Sequence, residues 1–264
     1  MALILLASAS GSPGVTTCAV GLALAWPRPV VLLEADPTGG SSVLAGYFQG
    51  WTQPNDAMVE LVMASRANRL GEALPQLLEP LPGSTAARLL SGPRSHAQAR
   101  SLMDIWEPLA FELKALDRGG QDVIVDAGRL GLTSWPTSLP RMADLSLLLL
   151  RADLPSLAAA RQWAETWRSY GQAADSGQGH GLVLVGPNRP YGPNEITKVL
   201  GLPVLEKLSW DPPAAAVFSR GDRPGRRHRR RPLARDLGRL AEAIGRRLAE
   251  SKDILTPPDP EEAP

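Results

Sequence analysis

Residues 2–7 form an unbroken apolar run that ends in Ser8-Ala9-Ser10-Gly11. A run of this length without alternation is the pattern of a strand buried on both faces of a parallel sheet. After a loop of Gly, Ser and Pro, residues 16–26 are rich in Ala and Leu and stop at Pro27-Arg28-Pro29, which predicts a helix. A second buried strand over 30–33 ends at Glu34-Ala35-Asp36 and completes a βαβ unit. Helices are expected over 55–67, 69–78 and 95–116, with the turn-rich Pro80-Leu81-Pro82-Gly83 and a strand at 87–90 between them. The strand at 122–125 is closed by Asp126-Ala127-Gly128, and further strands are expected at 145–150, 181–185 and 203–208. Helices at 155–170, with Pro in the first turn, and at 194–200 separate them. The last helix, 232–248, carries Leu233, Leu237, Leu240, Ala241, Ile244 and Leu248 on one face.

Strands alternating with helices in this way predict a single α/β domain over residues 1–250, with a mostly parallel sheet of about seven or eight strands covered by helices on both faces. The end of the chain, 251–264, is acidic and Pro-rich; 256–264 holds four Pro and three acids, too few apolar groups to pack, and is expected to be disordered.

Composition narrows the classes. Of 264 residues 44% are hydrophobic and 21% charged, and the net charge of +1 excludes a wholly basic nucleic-acid binder and an acidic disordered chain. That average hides an asymmetry: residues 220–249 hold eleven Arg against Asp222, Asp236 and Glu242. The single Cys18 allows no internal disulfide and no thiolate zinc site, so a reducing cytoplasm is the expected compartment. The first apolar run has no basic region before it and is too short for a secretory segment. No uncharged apolar stretch, 145–150 among them, approaches the ~20 residues of a membrane span. His96, His180 and His228 show no metal-ligand spacing, and Cys18, one turn into the first helix, reads as a small core residue.

Candidate chemistry gathers at the carboxyl ends of the strands, where open parallel sheets bind their ligands. Ser10-Gly11-Ser12-Pro13-Gly14-Val15-Thr16-Thr17 joins a buried strand to a helix. A phosphate loop needs glycines so that the chain curls with its N–H groups inward, a hydroxyl at the helix start for Mg²⁺, and a lysine for the outer phosphates. Gly11, Gly14, Thr16 and Thr17 meet the first two needs, and Val15 stands where the lysine belongs. A second reading is a Rossmann-type dinucleotide-binding oxidoreductase. The stretch from Ala9 to Gly14 has that spacing with Ala at the first glycine, and Glu34 lies near the distance of a ribose-binding acid. Pro13 and the Thr16-Thr17 pair fit a phosphate loop better, Asp126 has no role in a dinucleotide site, and no Tyr followed four residues later by Lys supplies a proton donor.

On these residues the chain resembles the ParA/MinD-like deviant P-loop ATPases (SIMIBI class), which position plasmids, chromosomes, division sites and secretion machines. Gly11 and Gly14 match the first and last glycines of their loop, and Thr16 and Thr17 its hydroxyl pair; Ser10 and Val15 stand at its two lysines. The segment from Val31 to Gly40 resembles the family's strand with two acids one residue apart, Val123-Ile124-Val125-Asp126-Ala127-Gly128 its Walker B strand, and Gly201-Leu202-Pro203-Val204-Leu205 its late strand. The resemblance implies nucleotide binding by Gly11, Ser12, Pro13, Gly14, Val15, Thr16 and Thr17, Mg²⁺ held by Thr16 and, through water, Asp126, and a switch that positions water through Asp36 and Glu34. It implies ATP and Mg²⁺ as cofactors and a homodimer meeting on the loop face. Without either lysine, hydrolysis is expected to be weak or absent unless an Arg substitutes; Arg129 and Arg151 are near by topology. The other reading open here is a non-catalytic dimerising scaffold that uses no nucleotide.

Arg220, Arg223, Arg226, Arg227, Arg229, Arg230 and Arg231 crowd one segment before the last helix. Arg226, Arg227, Arg229, Arg230 and Arg231 are the candidates for salt-sensitive, sequence-blind DNA contact, which is what partition ATPases of this family make. An acidic protein partner or a solvated loop stands beside that reading.

Overall fold

The computed structural model describes residues 2–10, 12–52, 55–115, 120–172, 179–187 and 190–255. Strand β1 (Leu3–Ser8) lies between β5 (Asp122–Arg129) and β6 (Leu145–Arg151), and all six of its residues are buried. The sheet grows outward from it through β2 (Val30–Glu34), β4 (Ala87–Leu90) and β3 (Glu79–Pro80) on one side, and β7 (Gly179–Val185) and β8 (Val204–Leu208) on the other. Every pairing is parallel except β3 with β4, where a two-residue strand containing Pro80 closes the edge.

The strand period of two sorts the core into layers. Leu3, Leu5, Val31, Leu33, Val123 and Val125 face α2 (Ala57–Arg66), α5 (Trp106–Ala115) and α7 (Leu154–Gln172). Ile4, Leu6, Val30, Leu32 and Ile124 face α1 (Val15–Ala25), α9 (Pro212–Arg220) and α10 (Pro232–Leu255). The expected mostly parallel sheet with helices on both faces is the architecture found.

The differences have local causes. The helix expected over 95–116 is two helices, α4 (His96–Ser101) and α5, because Pro108 cannot donate to a helix continuing from residue 104 and is accommodated only in the first turn of a new one. Pro75 acts likewise over 69–78, leaving α3 (Leu70–Ala73) followed by a tighter turn (Leu74–Leu77). A π-helical turn (Val43–Tyr47), α6 (Leu139–Met142) and α9 were not expected; α8 (Pro193–Leu200) was. The stretch 256–264 lies outside the described residues. No helix among the described residues is long and apolar enough to cross a membrane.

The amino end of the sheet is locked by Asp122, which is fully buried. Its carboxylate accepts the Ala2 amide and the Trp26 indole N–H, both at 2.8 Å, and pairs with Arg28 at 2.7 Å. Removing it would strand a buried amide and a buried indole donor, while Arg28, 54% exposed, keeps its water. Asp122→Ala is therefore expected to lower unfolding free energy by about 3 kcal/mol, read as a shift of the urea midpoint at constant slope. An unchanged midpoint would show that water replaces the carboxylate.

Candidate functional site

The segment between β1 and α1 turns by left-handed backbone. Ser12 has φ 46° and Gly14 φ 97°; the first is a strained setting for a side chain, and the second suits glycine. Gly14 then begins α1, accepting the Cys18 amide at 2.9 Å, and no side chain caps the helix. The first amides of α1 and its positive dipole end thus face the carboxyl edge of the sheet, as an anion requires. Gly11 is outside the described residues.

The period of two decides which acids meet this helix end. On β5, Val123, Val125 and Ala127 turn to the α5 side, so Asp126 turns with Ile124 to the α1 side. There it is 2% exposed and hydrogen-bonded to the Thr16 side chain and, at 3.1 Å, to the Gly128 amide. Burial raises its pKa to about 7, the charges of Glu34 and Asp36 push the same way, and the bonds from Thr16 and Gly128 oppose them. Glu34 is the register partner of Asp126 on β2. It accepts the Ser41 hydroxyl at 2.5 Å and the amides of Val43 at 3.1 Å and Gly92 at 3.4 Å, and burial raises its pKa despite them. Glu34 thereby ties the π-helical turn to the end of the sheet. Asp36 bonds the amide and hydroxyl of Thr38, both at 2.8 Å, and its carboxylate packs on Gly128, whose φ of 62° and lack of a Cβ leave the room.

Beside the loop lies a cleft of about 340 Å³, walled by Ser12, Pro13, Gly14 and Thr17 on one side and by Trp210, Asp211 and α9 on the other. Cys18 also lines it, but burial and the neighbouring Asp126 push its thiol to about 12, so it is no nucleophile. Val15 does not line it; its side chain is 6% exposed and packs in the core with Cys18 and Ala19.

The structure therefore gathers Ser12, Pro13, Gly14, Thr16, Thr17, Glu34, Asp36 and Asp126 at one sheet edge and turns Val15 inward. Among the described residues no three of His, Cys, Asp and Glu cluster as metal ligands. The Thr16–Asp126 pair nonetheless suits Mg²⁺, which keeps several waters and takes one or two carboxylates with substrate phosphates.

Sequence reasoning missed the far wall. Its signal was present in Asp211-Pro212 and Gly221, an N-cap, a proline at the first turn and a glycine just past the end. Asp211 accepts the Ala214 amide at 3.3 Å and takes both Nε (3.0 and 3.1 Å) and Nη2 (2.5 Å) of Arg231, which lowers its pKa. His228 packs edge-on against Phe218 at 5.3 Å. These two contacts hold the arginine segment onto α9. Arg226, Arg227, Arg229 and Arg230 are exposed and pair with no acid among the described residues, whereas Arg231 is an anchor. Arg129 is exposed at the end of β5, and Arg151 lies 4.7 Å over the Trp210 ring.

No protein-family model matches the sequence, and no curated protein does. Solved structures do match along nearly the whole chain. MinD of Pyrococcus horikoshii, complexed with Mg-ADP, is 16% identical with a TM-score of 0.70 over 95% of this chain and 98% of its own. The fold is that of the MinD and ParA ATPases. A ParA family ATPase from Chlorobium tepidum is 16% identical with a TM-score of 0.70, over 91% of this chain and 97% of that one. The ATP complex of a Cyanothece McdA variant is 17% identical with a TM-score of 0.67, over 93% and 96%.

Within this MinD/ParA-type fold the raised pKa of Asp126 has a thermodynamic consequence. Its native value lies above the ordinary 3.8, so the neutral form stabilises the ligand-free fold. That contribution is complete below pH 3.8, declines as pH rises and is gone above about 7. The ligand-free protein is expected to lose melting temperature between about pH 4 and pH 7 through this group, and Asp126→Asn, neutral throughout, to melt higher than wild type at the upper end with a flatter profile. Calorimetric melts across that range check it; a variant less stable than wild type at the alkaline end refutes the desolvation account.

Proposed function

We propose that this protein is a positioning or partition-type protein of the MinD/ParA kind that binds Mg-nucleotide, with ATP as its ligand, and hydrolyses it weakly or not at all. The reading is carried by the placement of the Thr16 side chain beside the buried Asp126 at the mouth of the loop, with Glu34 and Asp36 near enough for their charges to raise its pKa. A hydroxyl at a helix start beside one buried carboxylate suits a hydrated cation, while Glu34 and Asp36 already accept bonds from Ser41, Val43, Gly92 and Thr38. Mg²⁺, when bound, supplies the charge that lets these acids and a polyphosphate share one site. Thr16 would ligate the ion directly, Asp126 would hold it through water, and Asp36 and Glu34 would belong to the switch that positions water. The amides of Ser12 to Thr17, with Gly11 and Gly14 shaping the curve, hold the inner phosphates. Val15 offers the outer phosphates no charge from its core position, hence the low turnover.

Self-association across the loop face, as a homodimer, belongs to this reading. Arg226, Arg227, Arg229 and Arg230, exposed and with no acid partner among the described residues, are the contacts for DNA, with Arg231 setting the segment's position. The MinD of Aquifex aeolicus is known in a complex with MinC, so protein docking through this segment is the outcome to test against DNA.

Titration calorimetry with ATP, ADP, GTP and NAD(P)H, with and without Mg²⁺, tests the nucleotide. Heat with ATP or ADP that depends on Mg²⁺ is expected. Heat with NAD(P)H alone favours the oxidoreductase, and silence on all favours a scaffold. Val15→Lys should melt below wild type, since it removes a buried apolar contact and sets an ammonium at the positive end of α1. It should also raise ATP affinity ~10- to 100-fold through one charge-assisted contact. No gain in affinity would mean that a side chain at position 15, turned into the core, does not reach the phosphates.

For the arginines, wild type should bind a random duplex with a salt slope of about −4 if all four contact phosphates, and the fourfold Ala variant should lose that slope. Fluorescence anisotropy over roughly 50 to 200 mM salt reads it. Absence of binding by wild type at the low-salt end assigns the segment to a protein partner.

A further inference from the structure

The loop of this site lacks a lysine, but the cleft beside it does not lack a cation. Among the described residues that line the cleft, Arg220 is the only Lys or Arg. The two arginines that strand topology offered are elsewhere: Arg151 stacks on Trp210 and faces an adjoining cavity, and Arg129 lies on the exposed end of β5. Arg220 arrives from α9, an element packed on α1 but about 200 residues away in sequence.

Its backbone is held firmly. Gly221 ends the helix in the left-handed conformation, φ 67°, and the Gln49 side-chain amide donates to the carbonyls of Arg220 at 3.1 Å and Gly221 at 2.9 Å. Gly46 of the π-helical turn packs directly on the Ser219 carbonyl, leaving no space for a Cβ. The end of α9 is thus pinned to the segment that Glu34 ties down through Ser41 and Val43.

Its side chain is held weakly. The side chain is 70% exposed, and its guanidinium pairs with Asp222, itself 49% exposed, at 3.3 Å. A pair this exposed contributes little, so exchanging Asp222 for a more highly charged anion in the cleft costs little. The planar fork of an arginine also suits two oxygens of one phosphate group. The other charged group lining the cleft, Asp211, is already neutralised by Arg231, so it does not compete for Arg220.

We propose that Arg220 is the phosphate-binding cation of this cleft, pairing with the phosphate groups of the bound nucleotide in place of the lysine that the loop lacks. The assignment rests on the nucleotide reading above. It gives α9 two tasks: its amino end, capped by Asp211, borders the apolar part of the cleft with Trp210, and its carboxyl end delivers the charge.

The test is equilibrium binding of Mg-ATP and of adenosine to the full chain by calorimetry, with thermal melts to confirm folding. Arg220→Ala leaves the Gln49 bonds intact, because they are made to backbone carbonyls, so it is expected to fold. It should weaken ATP ~10- to 100-fold while changing adenosine by no more than about twofold, as expected for loss of one charge-assisted contact to phosphate. Arg220→Lys should recover part of the ATP affinity, and Arg129→Ala and Arg151→Ala should leave it little changed. Asp222→Asn, which frees the guanidinium, should tighten ATP. If Arg220→Ala binds ATP like wild type, the assignment fails and the nucleotide reading stands. If it loses ATP and adenosine in equal proportion, Arg220 shapes the cleft and carries no phosphate. A wild type that binds neither ATP nor ADP overturns both readings.

Discussion

Asp126 is placed by the strand period and opposed by its surroundings, and the carboxyl edge of this sheet is organised around that conflict. Because Ile124 must turn into the α1-side core, Asp126 turns the same way and is buried beside the start of α1. A carboxylate taken from water raises its pKa unless something nearby offsets the cost. Here the Thr16 hydroxyl and the Gly128 amide do so in part, and Glu34 and Asp36 worsen it. The balance leaves a group poised near neutrality in the ligand-free protein, on the same edge as the open amides of α1. Stability and ligand binding therefore make opposite demands on one residue: a neutral Asp126 suits the ligand-free fold, and an ionised one suits the proposed Mg²⁺.

The acids around Asp126 extend this arrangement outward. Glu34 holds the π-helical turn through Ser41 and Val43, Asp36 rests on Gly128, and the turn in turn packs on the end of α9. The sheet edge, the turn and α9 are one chain of contacts from Asp126 to Arg220. Elsewhere on α9, the Asp211–Arg231 pair and the His228–Phe218 contact position the exposed arginines. The proposed nucleotide cleft and the proposed DNA-binding segment accordingly share a wall, and α9 is that wall.

Position 15 takes on a different meaning in three dimensions. Read along the chain, Val15 is an absent charge. In the fold it is a buried side chain near Cys18 and Ala19 at the first turn of α1, part of the packing that supports the loop. The positive charge that lines the cleft, Arg220, comes from another element, the end of α9.

What the sequence determined by itself is local or periodic. Apolar runs at 2–7, 30–33, 123–125, 145–150 and 181–185 marked the central strands because parallel strands are dry on both faces, and the acids that end them, Glu34, Asp36 and Asp126, were legible because a carboxylate closing such a run is conspicuous. Pro75 and Pro108 were equally visible, yet the residues on both sides of each keep a helical pattern, which hides where the helices break. The tertiary structure alone decided which face Val15 takes, that Arg231 turns back to Asp211 while its neighbours stay in water, and that Arg220 lines the cleft. The cleft and its charge depend on α9 lying against α1, a contact between segments far apart in the chain. Apolar periodicity shows that a helix has a face to bury; it does not show which helix will cover it, and with that covering partner comes the charge.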